Sequence, residues 1–148
     1  MVGVNDSPSG VAADADSAEW SFAAEPGAVR TARTLVRDVL HIWGLQSVSD
    51  VTVLLVSELV TNSLRYATGP IGVRMRCRRA PEGAVLVVEV SDPVEDPPRE
   101  RTATPDDEGG RGLQLVARSS RRWGTRRGKA GKTVWFELAL PGEEIVEG

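Results

Sequence analysis

Residues 57–67 read Ser-Glu-Leu-Val-Thr-Asn-Ser-Leu-Arg-Tyr-Ala, and the spacing inside this stretch decides how the chain folds. Val51, Leu54, Leu55, Leu59, Val60 and Leu64 recur around it at helical intervals, which predicts a helix with one side turned to a core. Glu58 and Asn62 lie four apart in that helix, so a carboxylate and a carboxamide share one face. Such a pair also stands on many solvated helix faces, and alone it does not decide between chemistry and decoration. As hard oxygen donors the two suit Mg²⁺, which keeps several waters and binds through one or two protein oxygens plus substrate phosphates. The pair therefore points to a nucleotide.

The downstream sequence supports that direction. A strand ending at Asp92 is followed by a loop over residues 93–108, where Pro93, Pro97, Pro98 and Pro105 stand among many charges. Nothing there has a helical or alternating period, so a long loop of the kind that forms lids is expected. Glu108-Gly-Gly-Arg-Gly-Leu-Gln-Leu-Val116 comes next, a glycine cluster opening an apolar helix. Glycines let backbone N–H groups approach an anion, and a helix N-terminus adds a favourable dipole.

Reading outward, Trp20 and Phe22 alternate with polar residues and predict a first strand over Glu19–Ala24. Pro26 suits the first turn of a helix carrying Val29, Ala32, Leu35, Val36, Val39, Leu40 and Trp43 up to Gly44. Ser49 or Asp50 can cap the second helix, which should stop before Gly69-Pro70. Ile71–Arg78 alternates, Pro81-Glu82-Gly83 is a turn, and the nearly continuous apolar run Ala84–Val90 reads as a central strand. Leu113–Ser119 is a third helix, and Arg122–Thr125 with Thr133–Leu140 make a final hairpin around Gly128–Gly131. This order predicts an α+β fold, a two-layer sandwich with a mixed β-sheet and helices packed on one face. Residues 1–18 have little to bury and read as a disordered tail, residues 19–140 as one domain, and residues 141–148 as an acidic tail.

Composition sets limits. With 148 residues, 41% hydrophobic and 26% charged, the chain can bury one proper core. A net charge of −3 gives no reason to expect direct nucleic-acid binding. Arg118, Arg121, Arg122, Arg126, Arg127, Lys129 and Lys132 cluster late, as a solvated helix end and hairpin or as a docking surface for an acidic partner. No apolar run reaches a membrane span and Met1–Ser17 has no secretory pattern, so a cytoplasmic protein without membrane contact is expected. Cys77 is the single cysteine and His41 the single histidine, which leaves neither a disulfide nor a His/Cys metal centre. Gly128-Lys-Ala-Gly-Lys-Thr133 has two residues between its glycines where a phosphate-binding P-loop needs four, and a strand follows.

Taken in order, Glu58-x-x-x-Asn62 with Tyr66-Ala67, Asp92 at a strand end, and Gly110-Arg111-Gly112-Leu113 resemble the N, G1 and G2 boxes of the GHKL or Bergerat-fold ATPase domain, shared by gyrase B, histidine kinases and MutL. Within that family the short chain looks most like the anti-sigma-factor serine/threonine kinases of Gram-positive bacteria, over roughly residues 19–140. The resemblance implies ATP and Mg²⁺ as cofactors, with Asn62 as the metal ligand and Glu58 as general base toward a hydroxyl. It implies that Asp92 accepts a hydrogen bond from the adenine amino group, and that Gly110 and Gly112 line the phosphates. Tyr66, Gly109, Arg111, Leu113 and Thr133 complete the implied nucleotide contacts. The implied partners are a sigma factor, a STAS-domain anti-anti-sigma protein or both, and a homodimer is compatible with it. The alternative is a protein of the same fold that holds nucleotide or sigma factor without transferring phosphate. After Asp92 the run Pro93-Val94-Glu95-Asp96 stands where the family usually has glycines, and Tyr66 where its kinases commonly have histidine.

Overall fold

The structure is a computed structural model, and it describes residues 17–66, 69–81, 83–93, 108–128 and 131–140. After strand β1 (Ser17–Phe22), Pro26 with φ −55° leads into helix α1 (Gly27–Ile42), which buries Ala28, Ala32, Val36 and Leu40 at steps of four. Steps of four give a straight apolar stripe. Gly44, with φ 75°, ends the helix: its N–H reaches His41 and that of Leu45 reaches Leu40, so late carbonyls are satisfied. A short 3-10 turn (Gln46–Val48) then feeds helix α2 (Ser49–Tyr66). Beyond its aliphatic residues α2 buries two hydroxyls, Thr52 and Ser63. Thr52 returns its bond to Val48 O at 2.7 Å, whereas Ser63 looks outward to another element.

Strands β2 (Ile71–Ala80) and β3 (Gly83–Asp92), helix α3 (Glu108–Ser119), and strands β4 (Arg122–Gly128) and β5 (Gly131–Ala139) complete the chain. The sheet order is β1-β2-β3-β5-β4, so the apolar run does become the middle strand. Val73, Met75, Leu86, Val88, Val90, Val134 and Phe136 pack with the buried sides of α1 and α2 into one core. The α+β two-layer arrangement is as expected. The sheet is not mixed, however, because all four pairings are antiparallel. The α3 crossover does bring β4 parallel to β3, but the hairpin lays β5 between them and removes that neighbour relation.

Several boundaries shift. β1 begins at Ser17, with Ser17 and Ala18 paired to Arg76 and Met75, two residues ahead of the strand start expected at Glu19. Gly128 pairs with Gly131, which extends the last hairpin past Thr125. Residues 1–16, 94–107 and 141–148, which hold both expected tails and nearly all of the expected lid, lie outside the described residues. Among the described residues no helix is long and apolar enough to cross a membrane.

Candidate active site

Helix α2 presents Glu58 and Asn62, both half-buried, toward α3. Between the two helices a cavity of about 530 Å³ is lined by Glu58, Asn62 and Arg65 from α2 and by Gln114, Leu115 and Arg118 from α3. The buried amide oxygen of Asn62, Oδ1, has no hydrogen-bond partner among the described residues. Buried acceptors are nearly always paired, so one left open on a cavity wall marks a place for a ligand. Gly112 is buried where α3 meets α2, and a Cβ there would stand 3.7 Å from Glu58 Cβ and 3.9 Å from its Oε1. The α3 backbone thus runs close to the carboxylate, at a distance that a methyl group would just fill.

The glycine cluster lies inside α3 rather than ahead of it, since the helix begins at Glu108 and Gly109, Gly110, Arg111 and Gly112 form its first turn. The N–H groups of a first turn have no intrahelical acceptors, so Gly109 and Gly110 stand where such donors are left open, whereas the Gly112 N–H has the Glu108 carbonyl four residues back. Leu113 is half-buried and packs against the core, which anchors that turn. Tyr66, one turn beyond Asn62 at the end of α2, is 48% exposed.

Asp92 closes β3 and is 5% exposed. The Ser63 hydroxyl donates to its Oδ2 at 2.7 Å, and Lys132 Nζ stands 3.8 Å from the same oxygen. A carboxylate sunk this deep needs such partners. Gly131, with φ 140°, lies so near that a Cβ would collide with the Asp92 carbonyl oxygen and approach Pro93 Cα to 2.7 Å. A cavity of about 350 Å³ at this end of the sheet is lined by Asp92, Arg126, Lys132 and Thr133 among others. Thr133 borders it from the other side of the pleat, with its hydroxyl 2.8 Å from that of Ser91.

The chain thus brings Glu58, Asn62 and Gly112 together in one group and Asp92 with Ser63 in a second. Asn62 and Ser63 are consecutive, so the groups meet on one turn of α2. Ser63 and Lys132 were missed in the sequence. Neither carries a local signal, because only the packing of α2 on β3 and the β3–β5 register bring them to Asp92. No cluster of three or more His, Cys, Asp or Glu suited to a metal exists among the described residues. Two hard oxygens, one of them an orphaned amide, nevertheless fit a divalent cation whose remaining ligands are phosphate and water.

The family of histidine kinase-like ATPase domains matches residues 22–138. Among solved structures, the RsbU and RsbW domains of a Mycobacterium tuberculosis protein align with TM-score 0.63 and 21% identity over 84% of this chain and 32% of that one. A blue-light activated histidine kinase from Erythrobacter litoralis aligns with TM-score 0.48 and 25% identity over 68% of this chain and 33% of that one. Its separate histidine kinase domain gives 0.46 and 26% over 66% and 46%. The chain therefore spans less than half the length of these solved proteins. No curated protein matches it.

Proposed function

The chain belongs to the histidine kinase-like ATPase domain family, and from that premise we propose that it is an ATP- and Mg²⁺-dependent regulator of the anti-sigma kind. It would phosphorylate a serine or threonine of a STAS-type anti-anti-sigma partner. The observation that carries the reading is the orphaned Oδ1 of Asn62 beside Glu58, on a cavity that α2 shares with Gln114, Leu115 and Arg118 of α3. Membership in the family makes ATP the ligand.

In this reading Asn62 Oδ1 holds Mg²⁺, and the first turn of α3 receives phosphate through its N–H groups. Bound Mg²⁺ neutralises charge developing on the transferred phosphoryl group. Glu58, lining the cavity, accepts the proton of the incoming hydroxyl. Asp92 binds the adenine amino group, and Ser63 holds one of its oxygens so that the carboxylate keeps its orientation. We place this activity in the cytoplasm, where ATP and a sigma factor are available. The anti-sigma role draws on the sequence resemblance and on the shared fold with a protein whose domains are called RsbU and RsbW. A second reading, nucleotide or sigma-factor binding without transfer, is favoured by Tyr66 where the kinases commonly have histidine.

Glu58→Gln separates the two readings, because glutamine keeps shape but cannot take the proton. With radiolabelled ATP and purified STAS proteins, the variant should bind ATP like wild type while labelling of the partner falls by about 100- to 10,000-fold. Equal labelling by both proteins removes Glu58 as base, and no labelling by wild type with its cognate partner leaves the binding reading.

A further inference from the structure

The pleat gives the sheet two faces, and among the described residues only one is covered by helices. Arg74, Arg76 and Arg78 of β2 and Arg122 and Arg126 of β4 fall on the other, as do Glu89 and Glu137, which face them in register. Glu89, 13% exposed, lies 3.6 Å from Arg74 Nη1 and 3.4 Å from Arg126 Nη2. Glu137, 7% exposed, lies 2.9 Å from Arg78 Nη2 and 4.0 Å from Arg122 Nη1. Each carboxylate is sunk beneath two arginines whose own side chains stay 41% to 60% exposed. The third acid near this lattice is Glu19 on β1, 4.0 Å from Arg74 Nε. Five arginines against three acids leave this face at +2, on a chain whose net charge is −3.

The floor beneath is apolar. Val85 and Val87, in register with Arg78 and Arg76, are buried without belonging to the helix-side core. Arginine stems cover such a floor while their guanidinium groups stay in water. Trp135 lies flat over Gly124, where a Cβ would come within 2.9 Å of its ring. Aromatic and arginine side chains together on an apolar floor are what the energetic centres of protein interfaces are made of.

We propose that this face is a docking surface for an acidic segment of another protein, one that carries apolar side chains between its carboxylates. Guanidinium forks pair with carboxylates in two parallel bonds, and Trp135 offers the apolar anchor. A second copy of this chain is the wrong occupant, because two-fold pairing would press like charges together. A nucleic acid suits it less, since the chain as a whole is negative and would repel a phosphate backbone. The proposal does not depend on the nucleotide site, which lies on the helical side.

Isotope-labelled full-length chain, titrated by NMR with a synthetic peptide of alternating Glu and Leu, tests it. Lys-for-Glu peptide and a single-stranded DNA oligomer serve as comparisons. Expected are saturable shifts confined to open-face amides of β2–β5, weakened at least tenfold in the Arg76→Gln/Arg122→Gln/Arg126→Gln variant and by added salt. If that variant misfolds, Arg76→Gln alone, which breaks no ion pair among the described residues, should still weaken binding severalfold. Unchanged affinity in the folded variant, equal or tighter binding of the DNA, shifts located on the helices, or concentration-dependent self-association through this face would each overturn it.

Discussion

A buried amide oxygen left without a partner costs about 1–3 kcal/mol, and Asn62 bears that cost on a cavity wall. Its neighbour Ser63 spends its hydroxyl on Asp92. Ser63→Ala would strip a donor from a buried carboxylate and should lower unfolding stability by about 1–3 kcal/mol in denaturant titration. It should also weaken ATP binding, because Asp92 would lose the contact that holds its orientation. Asp92→Asn keeps an acceptor but loses the charge, so competition binding should show a reduced preference for ATP over GTP. Unchanged preference would take Asp92 out of base recognition. At this scale the sequence was informative where partners are close in the chain: Glu58 and Asn62 are one helical turn apart. It was silent on Ser63, whose partner is 29 positions away, because only tertiary packing brings α2 against the end of β3.

Glycines set the distances between elements. Gly112 sits in a helical turn where alanine would make only ordinary contacts with Glu58. Gly112→Ala should therefore leave stability unchanged or raise it by up to about 1 kcal/mol, since glycine is a poor helix former. Its added methyl would nevertheless stand between α3 and the Glu58 carboxylate, so ATP affinity should fall several-fold in calorimetry even though the fold is no weaker. Gly131 is the opposite case. With φ 140° and the Asp92 carbonyl directly against it, Gly131→Ala forces the end of β3 to move and should cost about 2 kcal/mol or more in thermal unfolding. The elements were legible because a period of 3.6 is strong in α1 and a period of 2 in β2, and because β3 is a nearly continuous apolar run. The all-antiparallel order was not, because sequence order cannot show that β5 inserts between β3 and β4. The start of α3 was placed late, as glycines that usually end helices here form its first turn.

The whole molecule keeps two chemistries on opposite sides. Helices carry the cavity proposed for a cation and a nucleotide, while the open sheet face carries arginines over buried carboxylates. Net charge alone concealed this division, because a total of −3 averages over both sides. Binding on the helical side should stabilise the entire domain through mass action, by about 2.7 kcal/mol at 100 times Kd of Mg²⁺-ATP. The most direct test of the account is calorimetry of ATP binding to wild type and Asn62→Ala, each with Mg²⁺ and with chelator. Wild type should bind far more tightly with Mg²⁺, whereas the variant should lose that dependence along with about 1–3 kcal/mol of affinity. A variant that binds Mg²⁺-ATP as tightly as wild type, with the same response to chelator, would contradict the account.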